Sequence, residues 1–201
     1  MARWPNVPAV YGWLALDRRG NWLIRNEVVL SPILREYIGR NYAHDDRGRW
    51  FFQNGPQRVF VAPDYTPIVY RVVNPTAAAL AIESHIGQPA TAICGAWFDD
   101  TGAALIESEH GIGLVDDRDL DRLLPFLTDA HANPLPADAL EDVMAQLQQG
   151  REAPIWLRFG ASSIKIEPIR AHEVAQRFRF DAKPVEPPTA AQPKPADAPA
   201  R

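Results

Sequence analysis

Lysine is scarce in this chain: three among 201 residues, none before Lys165. A phosphate-cradling P-loop ends its glycines in Gly-Lys, and no such pattern occurs, so P-loop nucleotide hydrolysis is excluded. A lysine-linked pyridoxal cofactor would have to use Lys165 or a lysine near the C-terminus, and no cofactor is expected. Cysteine is scarcer. Cys94 alone rules out an intramolecular disulfide and fits a reducing, cytoplasmic setting. Its apolar surroundings, Ala92-Ile-Cys-Gly-Ala-Trp97, predict a small buried hydrophobe rather than a nucleophile. None of the five serines sits in a Gly-x-Ser-x-Gly elbow. No apolar run approaches the roughly 20 residues a bilayer demands, and Met-Ala-Arg-Trp-Pro is not a signal-peptide opening, so no membrane role is expected. His44, His85, His110, His131 and His172 never fall at i, i+3 or i+4 spacing, and no metal site is expected. A net charge of −4 speaks against general nucleic-acid binding.

What is present is ordinary globular composition, 46% hydrophobic and 23% charged, enough for one large domain or two small ones. Proline is the exception. Six of the 19 fall in residues 181–201, which have no aromatic and one branched aliphatic, Val185. Such a stretch cannot bury enough apolar surface to offset chain ordering, so a disordered Pro/Ala-rich tail is expected there.

Three segments share Asp-x-x-Gly between apolar runs: Asp17 to Gly20, Asp45 to Gly48 and Asp99 to Gly102. The aspartate accepts hydrogen bonds from its own following backbone, and glycine tolerates positive φ, so each is a hairpin candidate. The first joins residues 13–16 to 22–25, and the third joins 93–98 to 104–107. Asn54-Gly55 adds a hairpin between 50–53 and 58–62. A helix is signed by Ser31 as N-cap, Pro32 at the first position, an inward face of Ile33, Leu34, Tyr37 and Ile38, and Gly39 as terminator. Further helices are predicted over 118–127, capped by Asp116 or Asp117, and over 137–149, stopped by Gly150. A hairpin over 155–159 and 163–167 follows. Residues 74–90 read equally as helix or strand.

The order of elements recurs. The expected fold is α+β in two related halves, each of antiparallel hairpins packed on one or two helices, over residues 1–90 and 91–180. The halves carry opposite charge. Ten bases and seven acids give +3 for residues 1–90; eight bases and fifteen acids give −7 for 91–180; the remaining 21 residues are neutral. Opposite fields favour docking of the halves, or pairing between copies in a homo-oligomer.

Three constellations invite chemistry. Asp116, Asp117, Asp119 and Asp121 have the oxygens for a divalent cation, but lack the loop glycine and distal glutamate, and are read as helix caps. Arg47-Gly-Arg49-Trp50-Phe-Phe, with Arg58 and Arg71 on neighbouring strands, offers a basic, aromatic patch for an anionic ligand. Glu107-Ser-Glu109-His110-Gly111-Ile-Gly113 sets an imidazole among acids and flexible glycines, suited to ligand binding or proton transfer.

The run Trp13-Leu-Ala-Leu16-Asp-Arg-Arg-Gly20-Asn-Trp22-Leu-Ile, then Val28-Val-Leu-Ser31-Pro-Ile-Leu34, then Gly48-Arg-Trp50-Phe-Phe-Gln-Asn-Gly-Pro-Gln-Arg-Val59-Phe-Val61, resembles an uncharacterised proteobacterial family of unknown function with duplicated structural motifs. The similarity covers residues 11–73; over 91–180 only the element order matches. Eighteen arginines against three lysines suit a GC-rich bacterial genome. The resemblance implies a two-part α+β fold whose second part is loosely pleckstrin-homology-like, with a ligand site between the parts for a nucleotide-like molecule in signalling. It implies no catalytic residue. The expectation is therefore a non-enzymatic module binding a small anionic ligand between its halves through Arg49 and Arg58, whose forked guanidinium donors suit phosphate, and His110, which lies by the flexible glycines. A hydrolase or isomerase centred on His110 and a homo-oligomeric scaffold are the alternatives.

Overall fold

The structure is a computed structural model describing residue 5, residues 7–73 and residues 79–187. It is mixed α+β, dominated by two sheets with four short helices. The first sheet contains β1 (Ala9–Leu16), β2 (Trp22–Ile24), β3 (Glu27–Val28), β4 (Tyr42–His44), β5 (Trp50–Asn54) and β6 (Gln57–Pro63), in the order β3-β2-β1-β6-β5-β4. The second contains β7 (Ile68–Val72), β8 (Ile82–Ser84), β9 (Ile93–Asp99), β10 (Ala104–Ser108), β11 (Gly111–Val115), β12 (Leu127–Thr128), β13 (Trp156–Phe159) and β14 (Ser162–Ile169), in the order β12-β13-β14-β9-β10-β11-β7-β8. By sheet membership the chain passes from one sheet to the other between Pro63 and Ile68. The first sheet has a parallel pair at its centre, β1 with β6, and the second has two parallel pairs, β14 with β9 and β11 with β7.

The Asp-x-x-Gly turns form as their chemistry dictates. Gly20, Gly48 and Gly102 have φ of 78°, 72° and 87°. In each turn the glycine N–H donates to the aspartate carbonyl, and one aspartate Oδ accepts the amides two and four residues on. Asn54-Gly55 turns β5 into β6. A fourth aspartate turn, Asp129 to Ala132, has the same bonds, with Ala132 at φ 61° in place of glycine.

Helix α1 (Pro32–Arg40) starts where expected, with Ser31 Oγ accepting from Leu34 N at 3.4 Å. Two expectations are corrected. Gly39 does not end the helix but lies inside it, where its lack of a side chain allows close packing on Ile86, 3.1 Å from where a Cβ would sit; Asn41 forms the cap. Ile33 is 79% exposed, since the helix meets its core at the other end, through Ile38. The helix expected over 118–127 is also corrected. It breaks into a 3-10 turn at Asp117–Asp119, a short α2 (Leu120–Leu123) and a second 3-10 turn at Leu124–Phe126, where Pro125 cannot supply a helical N–H. Helix α3 (Ala137–Gln148) forms as predicted and buries Val143 and Leu147. In residues 74–90, Ile82–Ser84 is strand; 74–78 lie outside the described residues. Cys94 is exposed, not buried, because only part of β9 is covered at that end. Helix α4 (Val174–Arg177) closes the fold, with Val174 and Phe180 buried. Of the expected tail, 188–201 lie outside the described residues, and 181–187 contain no helix or strand.

Three cores result. One packs β1, β2, β5 and β6 with Ile38 and Val69. A second fills one face of the larger sheet beneath α2 and α3. The third covers that sheet's other face with the α4 segment. Trp50 packs against both cores of the larger sheet, and Tyr42 against one of them and the first-sheet core. The two aromatics thus mark the seam between the sheets.

Candidate functional site: a cleft at the seam between the sheets

The turn from β10 to β11 carries His110, and Tyr70 holds it. The Tyr70 hydroxyl lies 2.6 Å from Ser108 Oγ and donates to the Gly111 carbonyl at 2.8 Å. Ser108 Oγ also accepts the His110 N–H at 3.0 Å. Burial pushes the Tyr70 phenol up to about 12, so it remains a donor across the ordinary pH range. The two glycines have separate reasons. Gly111 has φ of 114°, which L side chains rarely adopt. A Cβ on Gly113 would lie 2.4 Å from the Tyr70 ring.

Glu109 is anchored by the Thr91 N–H and hydroxyl, each at 2.6 Å, and by Ala92 N–H at 3.3 Å. Desolvation alone would raise its pKa; these hydrogen bonds outweigh it and hold the carboxyl down at about 2. His110 Nε2 lies 2.9 Å from the Pro89 carbonyl and 3.9 Å from Glu109 Oε1. A carbonyl only accepts, so a neutral ring carries its hydrogen on Nε2 and leaves Nδ1 as acceptor.

The facing wall is the turn from β4 to β5. His44 and Trp50 are cross-strand partners with ring centroids 4.9 Å apart. Gly48 in this turn touches the α4 segment closely: a Cβ would lie 2.0 Å from the Arg179 carbonyl oxygen. Arg179 itself sits at φ 54° as the left-handed residue of a Schellman cap, with Phe180 N–H donating to Ala175 O and Arg179 N–H to Gln176 O. Asp181 N–H then donates to Gly48 O at 2.9 Å. Three distant chain segments are thereby locked around a cleft of about 260 Å³.

The three sequence-predicted site residues separate. His110 lines this cleft. Arg49 and Arg58 lie together on the opposite face of the first sheet, Arg49 4.6 Å over Phe60 and Arg58 4.5 Å over Phe51. Each Arg49 guanidinium nitrogen already has a partner, Asp45 at 2.8 and 2.6 Å and the Tyr11 hydroxyl at 3.3 Å. Hydrogen bonding to Asp45 leads the rise in the Arg49 pKa; the Asp45 carboxyl is lowered in turn, its bonds to Arg49 and Arg47 outweighing desolvation. Arg71 does not join them. It reaches Asp119 at 2.6 Å and Asp116 at 3.4 Å in the second sheet's network. Asp116 caps its 3-10 turn by accepting from Arg118 N, and Asp119 accepts from Val72 N.

Catalytic arrangements are thin. Among the described residues no acid lies within hydrogen-bond reach of the His110 ring, and Glu109 is engaged by Thr91. No group of three or more His, Cys, Asp or Glu among them is placed to hold a metal ion. His44, Phe178 and Phe180 also border the cleft. Sequence reasoning missed all three; the β-strand alternation pairing His44 with Trp50 was the signal that could have found the first.

Comparison with known proteins gives a family and no activity. The DUF2944 family model, described as "Protein of unknown function (DUF2946)", matches residues 1–185. No curated protein matches. A DUF1285 family protein from Silicibacter pomeroyi DSS-3 has a similar structure, with TM-score 0.52 and 16% identity over 80% of this chain and 82% of that one. A DUF1285 family protein from Shewanella baltica OS155 is matched at TM-score 0.39 and 11% identity over 54% of this chain and 87% of that one. The first likeness extends to the fold alone. Since the family model spans nearly all of the sequence, the chain belongs to this family of proteins of unknown function.

Proposed function

We propose that this is a cytoplasmic, non-enzymatic binding module whose site is the cleft at the seam. The carrying observation is that three segments remote in sequence are fixed around one small cleft by Gly48 under Arg179, Gly111 at positive φ, and the Tyr70 brace. At about 260 Å³ the cleft lies below the roughly 300–1,000 Å³ of drug-sized pockets, so it suits a ligand smaller than a whole nucleotide.

The reading includes an internal duplication, with halves over 1–90 and 91–180 and β7 and β8 as connector. It is supported by strand order: β3-β2-β1-β6-β5-β4 in one sheet parallels β11-β10-β9-β14-β13-β12 in the other. Asp17 then corresponds to Asp99, and Asp45 to Asp129. The helix α3 is the insertion, between β12 and β13. A signalling role would follow from ligand-dependent movement of one sheet against the other.

A second reading uses the outer arginine face, since Arg58 stacks on Phe51 and remains exposed for an anionic partner. Thermal-shift screening against a metabolite and nucleotide panel separates the two. Hits that stabilise wild type and R58A but not H110A support the seam. Hits lost in R58A and kept in H110A overturn it.

A further inference from the structure

The seam cleft joins aromatic walls to acidic polar groups. Trp50, Phe178 and Phe180 line it. Glu107 borders the same space from β10 and makes no ion pair or side-chain hydrogen bond among the described residues. Glu109 is the second carboxylate, and Arg179 the one guanidinium of the lining. Two carboxylates against one guanidinium leave the lining net negative, and the arginines that would grip a phosphate, Arg49 and Arg58, lie on the other face of the first sheet.

We propose that this cleft binds a small organic cation, an alkylammonium or guanidinium group, seated among the aromatic rings and paired with Glu107. The inference rests on the seam being the binding site. Aromatic rings attract such cations through their quadrupole, and a half-buried carboxylate beside them adds charge-assisted hydrogen bonds. The imidazoles fit the same ligand. His110 has Nε2 turned to the Pro89 carbonyl, and His44 has Nδ1 3.3 Å from the Asp45 carbonyl. Each neutral ring thus leaves its other nitrogen as an acceptor for an N–H donor. A bare metal ion is a poorer occupant, because these groups do not converge as a ligand set among the described residues. An inorganic anion would meet Glu107 and Glu109.

The test is amide and indole NMR of the full ¹⁵N-labelled chain, titrated separately with tetramethylammonium chloride, guanidinium chloride at sub-denaturing concentration, tert-butanol and sodium phosphate. Saturable shifts of the Trp50 indole N–H and the Gly48 and Gly111 amides are expected with the two cations only. Glu107→Gln should weaken that binding about fivefold to tenfold, while Glu141→Gln, on α3 and outside the cleft lining, leaves it unchanged. Should the Glu107 variant fail to fold, the selectivity of the wild-type protein among the four probes still decides. Phosphate or tert-butanol binding at the seam in place of the cations overturns the cation assignment and leaves the site standing. Shifts at the seam with none of the probes, or cation shifts confined to the outer arginine face, overturn both.

Discussion

Lowering the pH from about 7 to about 5 should destabilise the protein through one ring. His85 Nδ1 accepts the Val69 N–H at 3.2 Å, so the neutral ring carries its hydrogen on Nε2. The residue is partly exposed overall, but Nε2 is sealed from solvent and has no partner among the described residues. Trp22 and Tyr42 press on the ring, with centroids 5.0 and 5.8 Å away. Protonation would put a second hydrogen on Nδ1, directly against the Val69 N–H. Burial drives the pKa from 6.5 down to about 3, opposed by the Asp17 charge. The unfolded chain therefore takes up a proton near 6.5 while the folded chain does so only near 3. Between those values the unfolded state holds more protons, so stability falls as pH falls, at up to about 1.4 kcal/mol per pH unit. Integrated from about pH 7 to about pH 5, the loss is at most about 2 kcal/mol. Urea unfolding followed by tryptophan fluorescence measures it. His85→Asn keeps an acceptor for the Val69 N–H but does not titrate. It should be less stable than wild type near neutrality, with a pH dependence over this interval shallower by about the same 2 kcal/mol. A variant with the full wild-type slope would refute the reasoning.

Further outcomes follow from the same structure. Gly48→Ala meets both positive φ and the Arg179 carbonyl, and should cost about 2–4 kcal/mol in urea unfolding; Gly55→Ala, at φ 60° with open space around it, should cost only about 1 kcal/mol. Ala132→Gly relieves the left-handed alanine of the Asp129 turn and should gain about 0.5–1 kcal/mol by the same assay. Asp119→Ala leaves the buried Val72 N–H without its acceptor and removes one partner each from Arg71 and Arg122, which keep Asp116 and the Val72 carbonyl; the cost should be about 1–3 kcal/mol, against under about 0.5 for Asp121→Ala. Asp116 titrates at about 2 because the Arg118 contacts and the Arg71 charge outweigh desolvation. Its folded pKa lies below its unfolded value near 3.8, so its contribution is present above that value and is lost as pH falls towards 2. Asp116→Asn should flatten the acid limb in that window, separately from the His85 window.

Local chemistry was legible in the sequence wherever a few neighbouring residues settle it. Asp17, Asp45 and Asp99 each complete their turn with their own backbone, and Ser31-Pro32 starts a helix without help. The Asp129 turn escaped because alanine stands where glycine would signal it. A helical period could not tell which end of α1 meets the core, and Ile33 was assigned inward although Ile38 and Gly39 make the contact. Proline at 125 outweighed an otherwise regular leucine spacing. The site was only half legible. His110 and its glycines stood out, yet the opposing wall comes from Gly48 and Trp50, over 50 residues earlier, and from the α4 segment. Arg49 and Trp50 are adjacent in sequence, so strand alternation sends them to opposite faces; grouping Arg49 with His110 overlooked that geometry.

Intermolecular NOEs to the strongest stabilising compound from the screen test the location of the site most directly. The account predicts NOEs from that compound to protons of Trp50, Gly111 and Phe178 at the seam. NOEs instead to the Tyr11, Phe51 and Phe60 rings would place binding on the outer arginine face and contradict it.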